Sequence, residues 1–152
     1  MRIGSSTKQF TCFSTLLLAE DGLLSIDDDI RKHLPELPEY PQTIAIRHLM
    51  SNTSGLRCYL DLIGILAGME RRVRAPLPAK LQLRQSSVNF SPGTRFLYCN
   101  GGYLLLSLLI ERVSEKPLAQ FLQERIFQPL GMSHTCFEPD DMNLLEKTAT
   151  LH

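Results

Sequence analysis

The chain has 152 residues, 43% of them hydrophobic and 21% charged, with nine glycines and nine prolines. That is one ordinary domain's worth of sequence, and it excludes disordered, collagen-like and low-complexity classes. Sixteen basic side chains balance sixteen acidic ones, leaving no electrostatic footprint for nucleic acid or an anionic membrane.

Met1-Arg2-Ile3-Gly4 runs straight into polar Ser-Ser-Thr-Lys, without the apolar core of an export signal. This predicts a cytoplasmic location for the chain as it stands, or a periplasmic one if a further segment precedes Met1. From Ser5 to Asp21 there is no Pro or Gly, and Gly22 supplies a stop, so a helix is predicted there. Its apolar residues, Phe10, Phe13, Leu16, Leu17 and Leu18, spread over more than one stripe. That pattern predicts burial on several sides. Asp28 to Leu34 reads as a short helix, acidic at its start and basic at its end, before Pro35 and Pro38. Thr43 to Met50 reads as another, capped by Thr43 and closed by the turn Asn52-Thr53-Ser54-Gly55.

Leu56 to Arg74 has helical periodicity with weak spots at Gly64 and Gly68, and the stretch from Pro76 to Pro78 breaks it. Ser91-Pro92-Gly93 carries the residues of a type II turn. Gly101 to Lys116 and Pro117 to Phe127 are predicted helices, the second starting on a proline suited to a first turn. The longest strongly apolar stretch, Tyr103 to Ile110, falls far short of the ~20 residues of a membrane span. No succession of alternating strands is present, so the chain is predicted to be mostly helical.

Cys12, Cys58, Cys99 and Cys136 lie about forty residues apart, with no CxxC pair and no histidine at ligand spacing. They read as buried free thiols, and neither a zinc site nor a redox motif is expected. His33, His48, His134 and His152 have no partner at helical spacing and read as surface or core residues. Asp27, Asp28 and Asp29 read as helix-capping residues, because the alternating oxygen ligands of a cation loop are absent.

Two constellations carry chemistry. Ser5 and Lys8 are three residues apart at a helix start, so their side chains share a face. A serine hydroxyl needs a base, and a lysine serves as one when the positive helix end and burial disfavour its charge. The same helix start offers backbone N–H groups where an oxyanion would form. Twelve serines and five lysines give about 0.4 such pairs by chance, so the pair alone is a weak signal. Tyr98-Cys99-Asn100 adds a phenol and a carboxamide two apart on a bend, with Gly101 and Gly102 permitting close approach.

Together these residues resemble the serine β-lactamase and penicillin-binding-protein superfamily, and within it the D-aminopeptidase and esterase branch with an SxxK nucleophile. Ser5-Ser6-Thr7-Lys8-Gln9-Phe10-Thr11 is similar to the nucleophile helix, and Asn52-Thr53-Ser54-Gly55-Leu56 to a turn of the helical subdomain. Phe90-Ser91-Pro92-Gly93 followed by Tyr98-Cys99-Asn100-Gly101-Gly102-Tyr103 resembles the second catalytic motif and its lead-in. Pro129-Leu130-Gly131-Met132 resembles the short closing signature.

The resemblance implies a β-lactamase/transpeptidase-like fold, an α/β sandwich with an all-α subdomain. Residues 1–152 would supply part of that domain, mainly the helical part, without the strands before the nucleophile helix or the third motif. It further implies Ser5 as nucleophile, Lys8 and Tyr98 as proton-transfer groups and Asn100 as a substrate-binding residue. The substrate would be a small peptide, amide or ester, D-aminopeptidase activity coming first and β-lactamase or carboxylesterase activity next. No metal or organic cofactor is needed for such an acyl-enzyme route. A helical part without its sheet would expose an apolar face and self-associate, which makes a catalytically inert remnant or interaction module the rival reading. The second oxyanion donor would lie outside the chain, and losing one such donor costs about 2.7 to 4 kcal/mol of transition-state stabilisation.

Overall fold

The structure, a computed structural model, describes residues 2–67 and 77–138. A 3₁₀ turn, Gly4–Thr7, leads into α1 (Lys8–Glu20), so the first predicted helix forms with a tighter opening turn. Only Ser14, Thr15 and Leu18 of α1 are buried. Phe13 and Leu16 stand 44% and 45% exposed, which corrects the expectation of burial on several sides. The helix packs on its neighbours through one face, and its apolar residues outside that stripe meet solvent.

Ser14 Oγ is buried with no hydrogen-bond partner. A hydroxyl in that state carries a desolvation cost of about 1–3 kcal/mol. Ser14→Ala is therefore expected to raise the unfolding free energy by about 1 kcal/mol in a urea titration. A lower midpoint would show that the hydroxyl's packing outweighs its polarity.

Helix α2 (Ile30–His33) is capped by Asp29, whose carboxylate accepts from Arg31 N at 2.9 Å. Helix α3 (Ile46–Met50) starts three residues later than the predicted cap at Thr43. The preceding residues are drawn into pairing instead: Ile30 N donates to Ile44 O at 2.9 Å and Ile46 N to Asp28 O at 3.1 Å, an isolated bridge that joins Asp29 to Ala45. A backbone held extended by a partner cannot also begin a helix.

Helix α4 (Tyr59–Ala67) covers the middle of the predicted 56–74 helix, whose residues 68–74 lie outside the described residues. Helix α5 (Leu77–Leu83), for which the sequence carries no stated expectation, begins within the Pro76 to Pro78 stretch that was read as ending the preceding helix. Pro78 sits in its first turn, where a missing N–H removes no internal bond. The turn at 91–94 forms as predicted, with Gly93 at φ +81 and Thr94 N donating to Ser91 O at 3.2 Å.

Helix α6 (Asn100–Ser114) is the longest among the described residues and packs against α1, α2, α3, α4, α5 and α7 (Leu118–Leu122). Its Leu105, Leu106, Leu109 and Ile110 are fully buried and join Leu18, Ile30, Leu49 and Phe121 in one core. After α7 the chain widens into a π turn over Gln123–Phe127, where Gln128 N reaches Gln123 O at 2.9 Å. The described residues contain helices and two isolated bridges but no strand. No described helix is long and apolar enough to cross a membrane.

Candidate active site

Ser5 lies in the 3₁₀ turn and Lys8 opens α1. With three residues per 3₁₀ turn, positions i and i+3 eclipse one another. Lys8 Nζ accordingly donates to Ser5 Oγ at 3.2 Å. Across the site, Asn100 is the first residue of α6, and its Oδ1 accepts from Lys8 Nζ at 2.8 Å. Tyr98, two residues earlier, donates its phenol O–H to Ser5 Oγ at 2.6 Å. All four predicted site residues thus meet at one point, as two local pairs that lie 92 and 93 positions apart across their joining hydrogen bonds.

The cluster sits at the surface. Ser5 is exposed, Tyr98 is 45% exposed, and Lys8 and Asn100 are half-buried. The expectation that α1 carries Lys8 into the core is not met, because burial along the helix begins only at Ser14. The surroundings of Lys8 are instead set by directed contacts. Its Nζ lies 4.8 Å from the Tyr98 ring centroid and 5.2 Å from that of Tyr103, within cation–π range of both faces. The Lys8 ammonium and the Ser5 hydroxyl hold the Tyr98 phenol below the ordinary value of 10.0, against the opposing effect of burial.

Two residues outside the predicted set support the cluster. Tyr103 stands one helical turn after Asn100 on α6, and its O–H donates to Met50 O at 2.6 Å. Burial pushes its phenol above the ordinary value, and the contact with Cys12 pushes it further. Its spacing of three from Asn100 was the available signal, since i and i+3 share a helix face. Asn52 adopts a left-handed φ of 56° and grips the segment before α6 twice. Its O accepts from Leu97 N at 2.9 Å and its Oδ1 from Cys99 N at 3.0 Å. Sequence spacing gave no hint of that role, because the contact spans 47 positions.

His33 and His48 make other contacts. His33 Nε2 meets Asp28 Oδ2 at 2.9 Å, and His48 Nδ1 accepts from Ala45 N at 3.2 Å. His152 lies outside the described residues. Asp28 is tied to Ser25 N, Lys32 and His33, contacts that hold its carboxyl far below the usual range. Of the four cysteines, Cys58 and Cys99 are buried as predicted, Cys12 is half-buried and Cys136 is exposed.

Comparison with known proteins gives a consistent picture. The Beta-lactamase family model matches residues 1–151. The chain is 37% identical over 141 residues to a D-aminopeptidase of Brucella anthropi, covering 92% of this chain and 26% of the relative. It is 34% identical over 134 residues to penicillin-binding protein 4* of Bacillus subtilis, covering 88% and 29%. The chain therefore spans between a quarter and a third of these curated relatives. Among solved structures, the β-lactamase/D-alanine carboxypeptidase of Yersinia pestis superimposes with a TM-score of 0.77 at 31% identity, over 92% of this chain and 41% of that one. The D-amino acid amidase of Ochrobactrum anthropi gives 0.70 at 30% identity, over 86% and 35%. These likenesses assign the described helices to a β-lactamase/transpeptidase-type fold.

Proposed function

Because this chain belongs to the Beta-lactamase family, we propose that it is the part of a serine hydrolase that carries nucleophile and proton relay, acting on amide or peptide substrates through an acyl-enzyme. In this reading residues 1–152 are the nucleophile helix and helical subdomain of a larger catalytic domain. The observation that carries it is the pair of contacts on Ser5 Oγ, from Tyr98 at 2.6 Å and Lys8 at 3.2 Å. A hydroxyl held by two titratable side chains is the arrangement that nucleophilic catalysis needs.

Tyr98 is the base we favour. The Lys8 side chain and the Ser5 hydroxyl hold its phenol below the ordinary value, which favours the phenolate that takes the Ser5 proton as Oγ attacks the acyl carbon. The same group then returns that proton to the departing amine, and water releases the acyl group by the reverse sequence. Lys8 donates to Asn100 Oδ1, which holds its amine beside the phenol. Asn100 holds Lys8 in place and presents its amide N–H₂ to the substrate carbonyl.

Substrates with an N-terminal D-residue come first, on the likeness to proteins named D-aminopeptidase and D-amino acid amidase. β-Lactams and carboxyl esters come next. A second reading, an association module without turnover, is favoured by the exposed Phe13 and Leu16 on α1. Mass spectrometry of the full chain mixed with an activated ester of D-alanine separates the two. A gain of one acyl group is expected, retained on the peptide that contains Ser5. A folded chain that stays unmodified would overturn the hydrolase reading and leave the association module.

A further inference from the structure

A lysine amine sits on a long flexible stem, and keeping it at one point costs much of the stem's rotational freedom. Lys8 Nζ is fixed from two directions by Ser5 Oγ at 3.2 Å and Asn100 Oδ1 at 2.8 Å, the first of them on an exposed serine. A third support comes from an aromatic ring. The centroid of Tyr103 lies 5.2 Å from Lys8 Nζ, close to the 4.8 Å of Tyr98. Both rings are near enough for their faces to attract the cation.

Tyr103 is itself latched in place. Met50 ends α3, and its carbonyl is among those that a helix end leaves without an internal partner. The Tyr103 O–H donates to that oxygen at 2.6 Å. From α1, the Cys12 thiol donates to the Tyr103 phenol oxygen at 3.5 Å. Lys8 and Cys12 are four positions apart on α1, and Asn100 and Tyr103 three apart on α6, so each pair shares a helix face. The two helices therefore meet through two rungs, Lys8 to Asn100 and Cys12 to Tyr103. With its proton on Met50 O and its oxygen accepting from Cys12, the Tyr103 hydroxyl is engaged by the packing of α1 and α3. What Tyr103 presents to Lys8 is its ring.

We propose that Tyr103 is a positioning residue for Lys8: its ring, latched to the end of α3, forms with the Tyr98 ring an aromatic lining that keeps the Lys8 amine against Ser5 and Asn100. A ring face attracts a cation broadly over its area, and so complements hydrogen bonds that set direction. The two tyrosines then differ in task. Tyr98 reaches Ser5 Oγ with its hydroxyl, whereas Tyr103 acts only through Lys8. The consequence for acylation rests on the hydrolase reading; the hold on the Lys8 amine does not.

The test uses the full chain carrying isotope-labelled lysine and follows two signals. One is the NMR shift of the Lys8 ε-methylene protons, identified by their loss in Lys8→Met; the other is acylation by the D-alanine ester. Protons above a ring face are displaced upfield, so the Lys8 signal is expected upfield of an ordinary lysine's. Tyr103→Leu is expected to return it part of the way. The same variant is expected to lower the maximal acylation rate about tenfold at an unchanged half-saturating ester concentration, the scale of a partly desolvated cation–π contact. Tyr103→Phe retains the ring and is expected to keep the upfield signal and to acylate within about threefold of the parent. An ordinary Lys8 shift in the parent, or a folded Tyr103→Leu with the parent signal or the parent rate, would overturn the proposal. So would a Tyr103→Phe as impaired as Tyr103→Leu, because the hydroxyl and not the ring would then hold Lys8. If Tyr103→Leu does not fold, the upfield signal in both the parent and Tyr103→Phe decides the matter, and its loss from either rejects the ring contact. A chain whose Lys8 signal responds to Tyr103→Leu but which takes no acyl group would sink the hydrolase reading and leave the hold of Tyr103 on Lys8 standing.

Discussion

Ser5→Ala is expected to abolish transfer of an acyl group from an activated D-amino acid ester, with the mass of the variant unchanged after incubation. The expected loss is roughly a millionfold in acylation rate, the scale on which removing a nucleophile acts when its partners work as a unit. Ser6 is the internal control. It is the next residue and also exposed, yet the hydroxyl that meets Lys8 and Tyr98 belongs to Ser5. Ser6→Ala is therefore expected to acylate at close to the parent rate. An adduct persisting on Ser5→Ala would remove Ser5 from the chemistry, and loss on Ser6→Ala alone would move the nucleophile by one residue.

Tyr98→Phe carries the second-largest expected effect, a fall of about 10²- to 10⁴-fold in acylation rate, as is typical when a general base is removed. The ring is retained, so the cation–π contact with Lys8 survives and only the proton-transfer oxygen is lost. The pH profile gives an independent reading. The phenol is held below 10.0 by Lys8 first and Ser5 second, and in the proposed mechanism the active form is the phenolate. Acylation should thus rise with pH through that lowered value and level off above it. Lys8→Met removes the principal cause, so the rising limb is expected to move to higher pH, toward 10.0. A limb that stays in place in Lys8→Met, or an undiminished Tyr98→Phe, would assign the base elsewhere.

The site was legible because its four residues come as two local pairs. Ser5 with Lys8, and Tyr98 with Asn100, each sit within one turn of backbone, and spacing of that kind survives in any fold. What brings the pairs together is tertiary, and no single-sequence signal encodes Asn52 gripping Leu97 and Cys99. The long helices α1 and α6 follow from uninterrupted periodicity, and the 91–94 turn from Pro92 and Gly93. Helix α5 escaped because the prolines were read only as ending the helix before them, while Pro78 also suits the first turn of the next. The burial of α1 was overestimated because periodicity reports which residues are apolar, not which of them find a neighbour.

In the proposed hydrolase, the double attachment at Asn52 would separate where the chemistry is performed from where it is tuned. Phenol and carboxamide both depend on a short stretch tethered to the end of α3, so they ride on a residue that touches no reacting atom. A family of such chains has room to shift proton-transfer distance, and with it preferred substrate and working pH, by changes at the tether while every reacting group stays the same.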